Sequence, residues 1–173
     1  MKYEYRHNDD GTTTIFIRGG LETTISTSDF GKVSSYEGTW YRNKVPSGYR
    51  VQCELWGRKG KTSRKVMFLH RFIMDPPNNM QVDHINMNQL DNRRENLRIV
   101  TNAENQQNRR SYKNSSTKVR GVSWDKARNK YKAAIRKDGK TYGLGRFNTI
   151  EEAEKVVIAA RKELFTHSVE GGI

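Results

Sequence analysis

The sequence predicts an α+β protein, and three features of the 173-residue chain point to it. Short runs rich in β-branched and aromatic residues alternate with Gly, Pro and Asn turn signals, the pattern of short strands. Two Thr-x-x-Glu boxes, Thr101 with Glu104 and Thr149 with Glu152, open segments of helical spacing. A mean hydropathy of −0.94 and 34% apolar residues leave too little material for one thick core, so the chain reads as a string of small folded regions.

Taken in order, residues 1–64 form a β-rich N-terminal region. Strands fall at 12–17 and 49–56, and turns at Arg18-Gly19-Gly20 and Gly57-Arg58-Lys59-Gly60. A strand at 65–70 opens the next region, 65–110. Asp75-Pro76-Pro77-Asn78-Asn79 breaks the chain there, because paired prolines favour extended and turn geometry. Next come a strand at 82–85, an Asn-rich loop to Asn96, a strand at 97–100 and a helix capped by Thr101, giving a strand, loop, strand, helix unit. The polar, basic stretch at 109–117 reads as a connection, with 111–117 as the linker proper. The last region, 118–168, carries strands at 119–124, 130–136 and 140–147. A hairpin turn at Asp138-Gly139 and a helix with Ala153, Val156, Val157, Ala160 and Leu164 on one face complete it. The economical fold for it is a three-stranded antiparallel sheet crossed by one helix.

Charge and composition exclude several classes. No stretch approaches the ~18 apolar residues of a membrane span, and the first residues lack the charged-then-apolar order of a secretory signal. One cysteine, Cys53, cannot build a disulfide framework or a four-thiolate zinc site, so a reducing cytoplasm is expected. Lys and Arg number 32 against 19 Asp and Glu, a net +13. Residues 41–146 alone carry +17, while both flanks are acidic at −2 each. That concentration is the footprint of a nucleic-acid binder. Trp56, Trp124, Tyr131, Tyr142 and Phe147 interleave the cations, which marks a folded surface and not a disordered basic tail.

Candidate chemistry is concentrated in 83–108, where Asp83, His84, Asn96, Asn105 and Asn108 fall together. Adjacent Asp83 and His84 on a strand point to opposite sides unless a bulge re-aims one. A strand packed against a helix can bring a strand carboxylate and a helix amide oxygen to one ion, two hard oxygen ligands that leave room for water and phosphate oxygens, which suits Mg²⁺. His84, with an ordinary pKa near ~6.5, is able to take a proton from water. Asn96, at the end of the loop, is the expected orienting partner of its ring.

The string VDHINMNQLDNRRENLRIVTNAENQQN (82–108) resembles the HNH endonucleases, ββα-metal nucleases, and most closely the phage homing type sometimes called H-N-N. The resemblance implies Asp83 and Asn105 as metal ligands for Mg²⁺ or Mn²⁺, His84 as general base and Asn96 as its partner. His70, in the familiar Leu69-His70-Arg71, and Asn108 are placed close to the site without an assigned role. Arg93, Arg94 and Arg98 are expected to include at least one phosphate contact. His7 and His167 read as surface residues.

Residues 117–165 are similar to AP2 DNA-binding domains, in which a three-stranded sheet enters the major groove and a helix braces it. Arg120-Gly121-Val122, Ala133-Ala134-Ile135-Arg136 and Leu144-Gly145-Arg146-Phe147 carry that match. Alternation on the second strand turns Tyr131, Ala133 and Ile135 to the helix and Lys132, Ala134 and Arg136 outward. The resemblance places Arg120, Gly121 and Arg136 at DNA contacts, with Lys126, Lys132 and Tyr142 as neighbours. Thr141 and Gly143 stand where plant members commonly carry Arg and Trp, so base preference does not carry over. Together these readings imply a site-specific, metal-dependent endonuclease for double-stranded DNA, nicking once per monomer, with no membrane and no obligate protein partner. Two alternatives stand beside it: a non-catalytic DNA-binding regulator on an HNH scaffold, and a nonspecific HNH nuclease.

Overall fold

The computed structural model describes residues 4–18, 20–46, 48–56, 64–108 and 115–167. Gly19, the Gly57–Gly60 turn and residues 111–114 of the expected linker lie outside them. The chain divides into two compact units, Met1–Val100 and Thr101–Ile173. The division falls ahead of the expected linker and leaves the helix after Thr101 with the second unit.

In the first unit the elements run β1 (Glu4–His7), β2 (Thr12–Ile17), β3 (Leu21–Ser26), α1 (Phe30–Ser34), β4 (Tyr41–Val45), β5 (Gly48–Trp56), β6 (Arg64–Phe68) and α2 (Leu69–Met74). They continue with β7 (Gln81–His84), β8 (Asp91–Asn92) and β9 (Leu97–Val100). β1, β2 and β3 form an antiparallel meander, and the two-residue β8 adds to its edge in parallel, Thr24 beside Asp91 and Ile25 beside Asn92. β4, β5 and β6 make a second antiparallel sheet, and β7 pairs with β9. Ile15, Ile25, Val33, Trp40, Val51, Leu69, Ile73, Val82 and Leu97 form the shared core. Each such side chain, fully buried, contributes about 1.5–3 kcal/mol by area removed from water. The buried Trp40 indole N–H donates to the Val33 carbonyl at 3.2 Å, so this large core residue leaves no orphaned donor.

The strand expected at 65–70 stops at Phe68, and His70 lies on a helix. Leu69, Phe72 and Ile73 have i, i+3, i+4 spacing, which lays one apolar stripe on the core. Asp75, at φ 45°, closes that helix by donating its N–H to the Arg71 carbonyl at 2.8 Å, and Pro76 follows. β1, β3 and β4 lack the apolar runs by which a strand is recognised and escaped the sequence reading.

The second unit contains α3 (Asn102–Gln107), β10 (Val122–Asp125), β11 (Lys130–Lys137), β12 (Lys140–Phe147) and α4 (Ile150–Leu164). The three strands form one antiparallel sheet in the order β10, β11, β12. Val122, Ala133, Ile135, Ala153, Val157 and Phe165 form its core against α4. Both capping boxes are made. Glu104 and Glu152 each donate a backbone N–H to the threonine hydroxyl at 3.2 Å, and each carboxylate reaches back to the threonine N–H.

Candidate functional site

His84 ends β7 and is 7% exposed, and Asp83 beside it is 9% exposed. Register sets Asp83 opposite Arg98 on β9, whose Nε and Nη2 donate to Asp83 Oδ2 at 2.9 and 2.7 Å. Two charge-assisted bonds from one guanidinium to one carboxylate oxygen fix the orientation of the Asp83 side chain.

The imidazole has a different partner from the one expected. His84 Nε2 lies 3.2 Å from Asn92 Oδ1. The Asn92 amide is oriented by its other end: Nδ2 donates to Thr23 Oγ1 at 2.8 Å and to the Gln89 carbonyl at 3.4 Å. A carbonyl accepts only, so the nitrogen must face it and the oxygen must face the ring. The hydrogen-bond network thereby assigns a proton to His84 Nε2 and the basic lone pair to Nδ1. Asn92 sits on β8, so the N-terminal meander, through Thr23 on β3, sets the tautomer of the histidine.

Asn96 acts on the loop instead. Its Oδ1 accepts from the Asn86 N–H at 2.9 Å and its Nδ2 donates to the Asp91 carbonyl at 2.7 Å, closing the loop 86–96 on itself. The expectation that Asn96 orients the ring is corrected to Asn92. The single-residue geometry of a two-residue edge strand left no pattern in the sequence to find it by.

His70, on α2, meets the His84 ring edge to face at 5.1 Å between centroids and stacks on Phe68 at 5.7 Å. Burial, with the positive charges of His84, Arg50 and Arg71, pushes the His70 pKa down to about 3, so it is neutral at physiological pH. Burial also lowers the His84 pKa, and the Asn92 hydrogen bond and the Asp83 and Asp91 carboxylates act in the opposite direction. His84 is therefore predominantly in its basic form at neutral pH.

Each of the three arginines among which at least one phosphate contact is expected pairs with a carboxylate. Arg93 straddles Asp91 with two bonds of 2.8 Å and also pairs with Glu95. Arg94 forks onto the buried Asp29, at 2.9 Å and 2.7 Å, and reaches the Ile73 carbonyl. Arg98 holds Asp83. Arg94 and Arg98 tie separate chain segments together, and Arg93 braces its own loop between Asp91 and Glu95.

Residues 75–107, which hold β7, β8, β9 and α3, match the HNH endonuclease family model. An uncharacterized HNH endonuclease of Acanthamoeba polyphaga mimivirus is 35% identical over 159 residues, covering 88% of this chain and 75% of that protein. The chain belongs to the HNH endonuclease family. Protein 3.8 of Escherichia phage T7 is 28% identical over 88 residues, 51% of this chain and 72% of that protein. No solved structure matches the chain.

Membership makes this HNH endonuclease a DNA-hydrolysing nuclease, and nucleases of the family generally use a divalent metal. The donor chemistry offers a hard cation one carboxylate oxygen: Arg98 takes Asp83 Oδ2, which leaves Oδ1 as the atom that would face a metal. Among the described residues, no group of three or more His, Cys, Asp or Glu side chains is placed to hold a metal. Asn105, the second expected ligand, lies half-buried on the first turn of α3 in the second unit. Asn108 caps that helix and is buried.

In the HNH endonuclease's second unit, directly opposite residues share a face. The face away from α4 carries Ser123, Lys132 and Arg146 in one row, Ala134 with Gly143 in the next, and Arg136 with Thr141 in the third. Lys132, Arg136 and Arg146 are exposed there, and Asp125 accepts from Arg146 Nε at 2.8 Å. Lys126 is exposed in the β10–β11 turn. Three expected contacts stand elsewhere. Tyr142 lies opposite the buried Ile135, on the helix side by register, although 43% exposed. At Gly121, with φ +88°, a Cβ would stand 2.7 Å from the Ala134 carbonyl oxygen and 3.1 Å from Val157, so close packing accounts for this glycine. Arg120 donates to the carbonyls of Gln106 and Gln107 at the end of α3. Arg146 also faces outward; its side follows from the register shift at which β12 carries Leu144 unpaired opposite Ala133 and Ala134 of β11.

Proposed function

We propose that this HNH endonuclease is a site-specific DNA endonuclease of the phage homing type, working in the cytoplasm of a host cell on double-stranded DNA without an obligate protein partner. In this reading β7, the loop, β9 and α3 act as a ββα-metal catalytic core within residues 65–110, preceded by the β-rich region 1–64. Residues 118–168, after the linker at 111–117, are an AP2-like module whose cationic sheet face lies in the major groove. The single observation that carries the catalytic half is the buried His84 ring, bonded by Asn92 so that its lone pair falls on Nδ1.

His84 Nδ1 takes a proton from water as the oxygen attacks the scissile phosphorus, and the bond to the 3′-oxygen breaks; that oxygen takes a proton from a solvent water, leaving 5′-phosphate and 3′-hydroxyl ends. Asp83 and Asn105 would hold the cation, Mg²⁺ or Mn²⁺, on the family pattern. When bound, it supplies positive charge to the phosphate oxygens as negative charge builds on the leaving oxygen. Asn92 orients the base, Asn96 keeps the loop closed, and His70 packs the ring from the side. One His84 per chain makes a single-strand nick the product of one monomer.

The test pairs His84→Ala with chelation. Nicking of supercoiled plasmid in Mg²⁺ is expected to fall by about 10²–10⁴-fold in the variant, with duplex affinity within a few-fold of the wild type, and EDTA is expected to stop the wild-type reaction. Equal loss of binding and cleavage in the variant makes His84 structural, and cleavage that persists in EDTA removes the metal from the reaction.

A further inference from the structure

The short helix α3 is held at its end by side chains from other elements of the second unit. Arg120, just ahead of β10, donates Nη1–H to the Gln107 carbonyl at 2.7 Å and Nη2–H to the Gln106 carbonyl at 2.6 Å. The last carbonyls of a helix have no partner within it, and a cation placed there satisfies both their hydrogen bonding and the negative end of the helix dipole. At its backbone, Arg120 is fixed from the opposite side, its carbonyl accepting from Arg161 Nη2 of α4 at 2.5 Å. A second tether reaches the same turn: the His167 N–H donates to Gln107 Oε1 at 3.1 Å, with His167 Nδ1 3.9 Å from Glu104 Oε1.

Six residues are far fewer than the ~12–15 an isolated helix needs to be even marginally stable, so the order of α3 is lent by its capping box and these contacts. The helix that carries Asn105 thus takes its order from the module that carries the cationic sheet. We propose that Arg120 is a positioning residue which ties α3, and with it Asn105, to the C-terminal sheet module, and that its guanidinium serves this tie in place of a contact with DNA. The inference rests on the reading of Asn105 as a metal ligand only for its consequence in the reaction; the tie itself is a property of α3.

Full-length Arg120→Gln and Arg120→Lys proteins test it through amide hydrogen exchange of residues 105–108, with β11 amides as the internal reference. Mn²⁺ affinity without DNA and affinity for a random-sequence duplex complete the measurements. In Arg120→Gln, exchange in α3 is expected to quicken about tenfold while β11 is unchanged, because two hydrogen bonds from a charged donor are lost. Mn²⁺ affinity is expected to fall a few-fold and duplex affinity to stay within about twofold, and Arg120→Lys, which keeps the charge without the fork, falls between. Unchanged α3 exchange, equal acceleration of α3 and β11, or a duplex affinity loss of about tenfold with α3 unaffected each overturns the proposal, the last by making Arg120 a DNA contact. Asn105→Ala separates the two readings. If it leaves Mn²⁺ affinity unchanged the ligand assignment fails, and α3 exchange in Arg120→Gln still decides what Arg120 does.

Discussion

The arginines around His84 and the cations of the β10–β12 sheet come from one basic stretch of sequence but do opposite things. Arg93, Arg94 and Arg98 each close on a carboxylate, Asp91, Asp29 and Asp83, and so join the loop, the N-terminal meander and the β7–β9 pair. Lys132 and Arg136 stand exposed on a face shared with Arg146 and with the small residues Ser123, Ala134, Gly143 and Thr141. The first region uses charge to fix a geometry, and the second leaves it exposed, which under the proposed function is where a polyanion would approach the strand backbone. Catalysis needs groups held to a fraction of an ångström, whereas recognition needs charges left open to a partner.

The strongest break in this comparison is at Asn92. Asn92→Ala removes the acceptor that fixes the His84 tautomer, and the plateau rate of nicking is expected to fall about 10–100-fold with DNA affinity unchanged. Its hydrogen bond also favours the protonated ring and raises the His84 pKa against the lowering by burial. Losing it lowers that pKa further, so the acid limb of the rate profile, already below ~6.5 in the wild type, is expected to move to lower pH. A single-turnover pH–rate series checks both. An unchanged plateau with an unchanged limb would return the orienting role to Asn96.

Arg94 sharpens the contrast by stability. Asp29, with a side chain 4% exposed, loses its partner in Arg94→Ala, whereas the Arg94 side chain is itself 51% exposed. A lost buried pair costs about 3–5 kcal/mol and a solvated one little, so about 2 kcal/mol is expected, read as a lower urea midpoint with duplex affinity retained. Weaker DNA binding at unchanged stability would put Arg94 with the sheet cations instead.

Much of this was legible in the sequence, and the losses have a common cause. The strand, loop, strand, helix order, both capping boxes and the Asp138-Gly139 hairpin depend on residues within a few positions of one another, and all were found. The alternation on β11 held as well, with Ala133 and Ile135 buried and Lys132 and Arg136 exposed. What escaped depends on distant partners. Arg94 finds Asp29 65 positions away and Asn92 finds Thr23 69 positions away, and nothing local marks either pair. Arg120 looked like a DNA contact because its neighbours in sequence fit that role, but its side chain turns 13 residues back to the end of α3.

The sheet face gives the smallest effect and the cleanest reading of mechanism. Lys132 and Arg136 lie on the same outward face of β11, two rows apart, so each would meet a different stretch of the DNA backbone or groove. Neither holds the core, so Lys132→Ala and Arg136→Ala are each expected to change stability by less than about 0.5 kcal/mol. If Lys132 neutralises a phosphate, its loss releases one counterion fewer on binding and lowers the slope of log affinity against log salt by about 1, equally for any duplex. Arg136 offers a planar fork, and if that fork reads a base edge its loss costs about 1–3 kcal/mol on the preferred duplex and little on a random one. A uniform loss at both positions would reduce the sheet to a phosphate clamp, and the choice of site would then have to come from the shape of the DNA.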